Sequence, residues 1–356
     1  MKKYLLIPAA LMLLASCSND TDIKTESSTT KEAPVPIRLG TQMSVTTRSN
    51  SQTLQATELA SGQTVGVYIY YKDATTTNTT YNYGYKNLEY TVVDHTTVTG
   101  ASAGDLALVT ATDQPYFPEN KSQNVDIYAF SPRTGVYTTD GELTGLTSQD
   151  VFSTEANQTT EDNYKASDFV WGKAANVVNG TATAIEIPLK HKLSKVNINI
   201  APGTGMTLDK LDKAKITLNG VVLDGTVNFT TGEVTTRTGS SASSVVLSNQ
   251  VDKNVTTTFN TTTPTATHTA CTSSAVIIPQ DIAASTSFIT IQLWDATANS
   301  GAGDYTSTYN VTTTATTTFA AETVYTYNIL VNTQGLTLTT SISDWTVGAT
   351  TPGTAE

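Results

Sequence analysis

The stretch VPIRLGTQMSVTTRSN, residues 35–50, alternates apolar and polar side chains along most of its length. The positions of one parity are Val35, Ile37, Leu39, Thr41, Met43 and Val45, and those of the other are Pro36, Arg38, Gly40, Gln42, Ser44 and Thr46. A period of two residues is typical of a β-strand that buries one face. The sequence therefore predicts a strand that runs into a polar stretch around Arg48.

Similar alternating runs continue along the chain, separated by stretches rich in Thr, Asn and Gly. They include QTVGVYIYY (63–71), NVDIYAFSP (124–132), IEIPLKHKLSKVNINI (185–200), SFITIQLWD (287–295) and TVYTYNILVNTQGLTLTTSISDW (323–345). Because Val, Ile, Tyr and Thr favour strands, these runs predict an all-β fold. Turn residues at 332–335 predict a terminal hairpin, and residues 147–164 are expected to hold a helical turn or two.

The length of the chain suggests more than one packed unit. A chain of 356 residues is long for one domain, so two units are the default expectation. We place the boundary near GTATAIEIP, which divides the chain into an N-terminal unit at residues 34–185 and a C-terminal unit at residues 186–356.

The N-terminus, MKKYLLIPAALMLLASCSND, combines a basic start, an apolar stretch and small residues before Cys17. This is the layout of a secretory signal, and the apolar stretch is too short to span a membrane. LLASC also resembles the bacterial lipoprotein box, in which the cysteine becomes the lipidated first residue. We therefore predict a signal peptide at residues 1–16 and a lipidated Cys17, with an ordinary signal peptide as the alternative. Residues 17–33 are polar and predict a flexible tether.

Charge, histidine and cysteine content argue against several functions. A net charge of -11 without clustered Lys and Arg argues against nucleic acid. His95, His191 and His268 are isolated in the sequence, so no metal site, cofactor or His-based triad is predicted. We expect His191 at the surface or at the domain junction, and Cys271 as a buried structural thiol. The chain is therefore predicted not to be an enzyme.

One row of tyrosines is a candidate binding surface. Tyr81, Tyr83 and Tyr85 share one face of a predicted strand, and an aromatic row of this kind can bind a sugar or a partner protein. The alternative is that the row packs inside the sandwich, because strands favour Tyr as well.

Several short motifs, in this order, resemble the fimbrillin family, the type V pilins of diderm bacteria. They are the lipoprotein box, TTR (46–48), LKHKLSKVNINI (189–200), VIIPQ (276–280), YTYNILV (325–331) and ISDW (342–345). The resemblance implies two transthyretin-like β-sandwiches in tandem, export as a lipoprotein to the outer membrane surface and trimming by an arginine-specific protease. It also implies assembly with other fimbrial subunits by strand exchange, with a role in adhesion to a host or glycan ligand. The alternative function is a monomeric surface lipoprotein that binds glycans.

Within this scheme the first strand is a removable piece. We predict that residues 34–48 form a strand in the precursor and are lost by cleavage after Arg48, with Arg38 as the alternative site. The replacement is expected from residues 335–347 of a neighbouring subunit, because Leu336, Leu338, Thr340 and Ile342 match Ile37, Leu39, Thr41 and Met43 in kind and alternation. The alternative makes this C-terminal segment an ordinary hairpin arm.

Overall fold

A computed structural model describes residues 33–43, 59–73, 82–94, 104–133, 150–211, 214–247, 252–259, 266–294 and 305–344. The prediction of an all-β fold is confirmed, because two short α-helices and one 3-10 turn accompany many strands in these residues. The helices are α1 (Glu161–Ser167) and α2 (Leu208–Leu211), and the 3-10 turn is Ala111–Asp113. The helical turn expected within residues 147–164 corresponds to the start of α1, where the Thr160 hydroxyl accepts from the Asn163 N–H.

The strands have the following bounds. In chain order they are β1 (Leu39–Met43), β2 (Thr64–Asp73), β3 (Asn82–Val92), β4 (Leu106–Leu108), β5 (Gln123–Ser131), β6 (Asp150–Ser153), β7 (Asn157–Gln158), β8 (Val170–Val177), β9 (Ile185–His191), β10 (Ser194–Pro202), β11 (Lys215–Val222), β12 (Asp224–Asn228), β13 (Glu233–Thr236), β14 (Ala242–Leu247), β15 (Asp252–Phe259), β16 (Ala266–Ile277), β17 (Gln280–Ile282), β18 (Ser287–Trp294), β19 (Tyr305–Thr312), β20 (Thr317–Phe319), β21 (Thr323–Asn332) and β22 (Gly335–Asp344).

A seven-stranded sheet, in the order β1-β9-β8-β5-β2-β3-β4, contains most of the first-half strands. All its strand pairs are antiparallel except β1 with β9. In β9, alternate residues are buried from Ile185 to His191, which matches the period of two in its sequence. In β2, residues 65–70 are buried on both faces, because one face lines a local core and the other packs against the second half.

Two five-stranded sheets form a sandwich in the second half, in the orders β15-β16-β10-β21-β22 and β19-β18-β11-β14-β7. Their inward apolar residues share one core, which includes Ile198, Leu218, Ile291 and Ile329. A three-stranded sheet, β13-β12-β6, and a two-stranded sheet, β17-β20, complete the fold. The predicted terminal hairpin is confirmed, since β21 and β22 pair antiparallel across the turn between Asn332 and Gly335.

The chain passes from the seven-stranded sheet to the second-half sandwich between β9 and β10. The predicted boundary at 185/186 lies at the start of β9, which belongs to the first sheet, while β6 and β7 pair with β12 and β14 from the second half. An aromatic cluster with members from both halves fills the region between them, and contacts group Pro34–Glu356 as one compact unit. The division into two domains stays a prediction.

His191 is not at the surface, which was one of the two positions expected for it. The side chain is 4% exposed and its Nδ1 lies 2.8 Å from Oδ1 of the buried Asp168. It ends β9, just before the chain crosses to β10. Burial is favoured by the strand period, which places His191 in line with Leu189 and Ile187. The expectation that Cys271 is buried is confirmed.

Candidate functional site

We use the term first strand for residues 35–43, of which Leu39–Met43 form β1 and Pro36 forms an isolated bridge. It lies between two edges of the seven-stranded sheet. On one side β1 pairs parallel with β9, with Leu39 opposite Ile185 and Thr41 opposite Ile187. On the other side, residues 36–41 meet the segment 104–117, which contains β4 from the opposite end of the same sheet. We call residues 104–117 the covering segment. The first strand therefore connects the two ends of the sheet, since it pairs with β9 on one side and with the covering segment on the other.

Backbone hydrogen bonds hold the first strand to the covering segment along its length. The Ile37 N–H donates to the Pro115 carbonyl at 2.8 Å, and the Phe117 N–H donates to the Val35 carbonyl at 3.0 Å. At the other end, the Thr41 N–H donates to the Gly104 carbonyl at 2.9 Å. Strand addition uses the same main-chain pairing, which depends little on the side chains of the added strand.

The inward side chains of the first strand belong to a local apolar core. Ile37 and Leu39 are 1% and 4% exposed, and Val35 packs against the same core from a partly buried position. The other members include Val67, Ile127 and Leu189 from three different strands of the sheet. Removing the first strand would therefore leave an apolar groove with unpaired strand edges on both sides.

One inward position is polar. Thr41 is 2% exposed, and its hydroxyl donates to the Gly104 carbonyl at 3.1 Å, so the same oxygen accepts from both the backbone and the side chain of Thr41. Gly104 has a φ of +81°, and a Cβ there would lie 1.9 Å from the Thr41 carbonyl oxygen. The close approach of the covering segment to the strand at this point therefore requires glycine at position 104.

The outward face of the first strand is polar and carries charge. The Arg38 side chain is exposed, while its carbonyl accepts from the Ile185 N–H at 2.9 Å. Gly40 stands between Glu186 of β9 and Asp105 of the covering segment. Partial burial, and then the charge of Asp105, raise the pKa of Glu186.

Two tyrosine hydroxyls fix the covering segment to the sheet. The Tyr71 hydroxyl donates to the Tyr116 carbonyl at 3.3 Å, and the Tyr116 N–H donates to the Tyr85 hydroxyl at 3.0 Å. Burial, with help from Tyr85, raises the pKa of Tyr71 to about 12, so the Tyr71 hydroxyl stays protonated at neutral pH. Tyr116 also forms a bridge with Pro36 of the first strand, so the two hydroxyls support the groove indirectly.

Of the predicted aromatic face, only part can be placed. Tyr81 lies outside the described residues, and Tyr83 stands opposite Tyr70 in the β2–β3 ladder. Tyr85 is half-buried and its hydroxyl holds the covering segment. The neighbouring Tyr68 and Tyr70 are buried in the aromatic cluster between the two halves. Binding through this row stays a prediction.

The predicted donor strand is β22. It pairs antiparallel with β21, with Leu338 opposite Ile329 and Thr340 opposite Tyr327, and it is the last strand of its sheet. Leu336 packs against the second-half core from a partly buried position, whereas Leu338 is 39% exposed. The backbone of Ile342 is in the ladder, opposite Tyr325. In this chain β22 is therefore a hairpin arm at a sheet edge, and its role as a donor stays a prediction.

Two predicted processing sites lie outside the described residues. They are Cys17, expected to carry the lipid, and Arg48, expected to be the cleavage site.

A second polar cluster lies at the junction of the two halves. The buried Asp168 carboxylate contacts His191. The same carboxylate lies near enough to Lys195 for the charges of Asp168 and Lys195 to interact. Burial lowers the pKa of Lys195 to about 8, and the Asp168 charge partly offsets this. The described residues contain no group of three His, Cys, Asp or Glu side chains that could hold a metal ion. In the same residues, no helix is long and apolar enough to cross a membrane.

Sequence reasoning missed the covering segment. Its strand β4 has only three residues, and the 3-10 turn and prolines that follow it give no alternating pattern. The signal that could have found it is DQPYFP at 113–118, because a proline-flanked aromatic pair is unusual in an exposed loop.

The structure is that of an all-β protein whose first strand joins both edges of one sheet through main-chain pairing. The model of the fimbrillin-like family matches residues 47–345, and the chain belongs to that family. The matched range begins beyond β1 and includes β22.

Solved structures share this fold at low sequence identity. A candidate cell adhesion protein from Bacteroides ovatus has 19% identity and a TM-score of 0.60, with 89% of this chain and 100% of that chain covered. A candidate cell adhesion protein from Bacteroides uniformis has 18% identity and a TM-score of 0.56, with 87% and 98% covered. A curated set of proteins contains no match to this sequence. Membership of the family supports a role as a fimbrial subunit at the cell surface.

Proposed function

We propose that this protein is a fimbrial subunit that is exported as a lipoprotein through Cys17, trimmed after Arg48 and polymerised by strand exchange, with a role in adhesion. Its partners are other fimbrial subunits, an arginine-specific protease and the outer membrane. The observation that carries the proposal is the position of the first strand, which joins two edges of one sheet and buries Ile37 and Leu39.

The energetics favour refilling of the groove after trimming. Full burial of two residues such as Ile37 and Leu39 contributes about 3–6 kcal/mol, and the total stability of a domain is only about 5–15 kcal/mol. A trimmed subunit would lose this contribution together with the hydrogen bonds to residues 104–117. An added strand would restore both, so trimming makes strand addition favourable.

The C-terminal strand of a neighbour is a suitable replacement. As the last strand of its sheet, β22 is held by main-chain pairing with β21 alone among the described strands. Leu338 is 39% exposed where β22 pairs with β21 of its own chain, whereas Leu39, the matching residue of the first strand, is 4% exposed. Moving β22 into the groove of a neighbour would therefore bury the Leu338 side chain more completely.

The hydrogen bonding of the first strand favours Arg48 over Arg38 as the cleavage site. The carbonyl of Arg38 is bonded to Ile185, and both neighbours, Ile37 and Leu39, are buried. A protease needs an extended and unpaired segment, so cleavage at Arg38 would require the strand to leave the groove first. TTRSNSQT, around Arg48, is polar and contains no large apolar side chain to anchor it.

The test of trimming is an Arg48→Ala variant, with Arg38→Ala as the matched control. We expect wild-type cells to give a ladder of multimers on electrophoresis of mildly heated extract. Arg48→Ala should abolish this ladder, and Arg38→Ala should leave it intact. N-terminal sequencing of the wild-type polymer should begin at Ser49. A polymer that begins at Cys17, or that forms normally in Arg48→Ala, would contradict the proposal. A single lipidated band from wild-type cells would instead support the alternative of a monomeric glycan-binding lipoprotein.

Lipidation is tested separately with Cys17→Ala. Because a thioether-linked lipid requires the thiol, this variant should lose incorporation of labelled palmitate and leave the membrane fraction. Cys271 is the internal control, since it is buried and Cys271→Ala should keep the label. Membrane association that is unchanged in Cys17→Ala would count against the lipoprotein assignment.

A further inference from the structure

The apolar side chains of the first strand do not by themselves fix its register. A slip by one residue would turn Ile37 and Leu39 to the solvent, so burial forbids it. A slip by two residues keeps the same parity inside and replaces one apolar side chain by another. Main-chain pairing has the same period, so it allows this slip too. A strand that arrives from another subunit needs a further signal to choose its register.

Thr41 supplies a signal of this kind. It is the polar member of the inward series Ile37, Leu39 and Thr41, and its buried hydroxyl bonds to the Gly104 carbonyl. A slip by two residues in one direction would place this hydroxyl at the position of Leu39. A slip in the other direction would place it at the position of Met43. At the position of Leu39 the surrounding core is apolar. A buried hydroxyl without a partner is costly there, so the slipped register is disfavoured.

Gly104 adds a steric condition at the same point. Its backbone approaches the strand so closely that a Cβ would lie 1.9 Å from the Thr41 carbonyl oxygen. The Thr41 hydroxyl oxygen would lie 3.3 Å from the same Cβ, and a two-residue slip would place the larger side chain of Leu338 or Ile342 in this space. The Gly104 carbonyl accepts from both the hydroxyl and the N–H of Thr41, so it is a polar point in an otherwise apolar groove. We call this carbonyl the Gly104 notch.

We propose that the Gly104 notch selects the register of the strand that refills the groove, by accepting a hydrogen bond from the Thr340 hydroxyl of a second copy of this chain. This inference rests on the proposed strand exchange and specifies how it is aligned. In the selected register, Leu336 and Leu338 take the positions of Ile37 and Leu39, and Thr339 takes the position of Gly40. Gly40 stands opposite Glu186 in the β1–β9 ladder, so Thr339 of the incoming strand faces Glu186.

Disulfide trapping reads this register directly. Full-length Glu186→Cys chains are mixed with full-length Thr339→Cys chains, trimmed with an arginine-specific protease and oxidised. Neighbouring strands lie within the distance that a disulfide spans, whereas a two-residue shift moves a partner by about 6–7 Å along the strand. We expect the 186–339 dimer to predominate over the dimers formed with Thr337→Cys or Ser341→Cys, which report slips in the two directions. Trimming after Arg48 removes Cys17, and Cys271 is buried, so neither thiol competes.

The role of the hydroxyl is tested by adding Thr340→Val to each donor chain, with Thr340→Ser as the matched control. Thr340→Val removes the cost of burying an unpaired hydroxyl in a slipped register. It should therefore reduce the preference for the 186–339 disulfide over the 186–337 and 186–341 disulfides by at least about fivefold, while Thr340→Ser keeps this preference. An unchanged preference in Thr340→Val, or trapping at 337 or 341 in the wild-type background, would overturn the register rule but leave strand exchange intact. Polymers that give no disulfide at any of the three positions would contradict the strand exchange itself.

Discussion

At the scale of single residues, Gly40 of the first strand and Gly104 of the covering segment differ in what an added Cβ would contact. Gly104 has a φ of +81° and its missing Cβ would meet backbone, whereas the missing Cβ of Gly40 would meet only the end of the exposed Glu186 side chain. We predict that Gly104→Ala lowers the free energy of unfolding by about 2–5 kcal/mol, through backbone strain and overpacking. Gly40→Ala is the control and should stay within about 1 kcal/mol of wild type, because Glu186 can rotate away. Denaturant unfolding of both variants measures this, and equal losses would contradict the account of the tight contact.

At the scale of secondary structure elements, alternation in the sequence was sufficient to predict most strands but not their partners. The period of two in 35–43 and in 185–191 indicated both β1 and β9, yet their parallel pairing depends on contacts far apart in the chain. The burial of Ile37 and Leu39 followed from the pattern, whereas the bond from Thr41 to Gly104 did not, because residues 104–117 carry no periodic signal. The alternation in 336–342 predicted β22 but could not distinguish a hairpin arm from a donor strand, since both need the same pattern. The contact between His191 and the buried Asp168 could not be predicted for a related reason, because Asp168 precedes β8 and is not adjacent to His191 in sequence.

At the scale of the whole molecule, we expect the aromatic cluster between the halves to couple their unfolding. Phe229, which follows β12, packs against Phe130 of β5 with ring centroids 4.7 Å apart, and both rings are buried. Separating the halves would expose this cluster, so we predict one cooperative calorimetric transition for the wild-type protein. Phe229→Ala should split it into two transitions. Phe288→Ala, in the second-half core, is the matched control and should lower the Tm of a single transition, each variant losing about 3–5 kcal/mol. Two transitions in the wild type would show that the halves unfold independently, and a single transition in Phe229→Ala would show that the aromatic cluster is not what couples them.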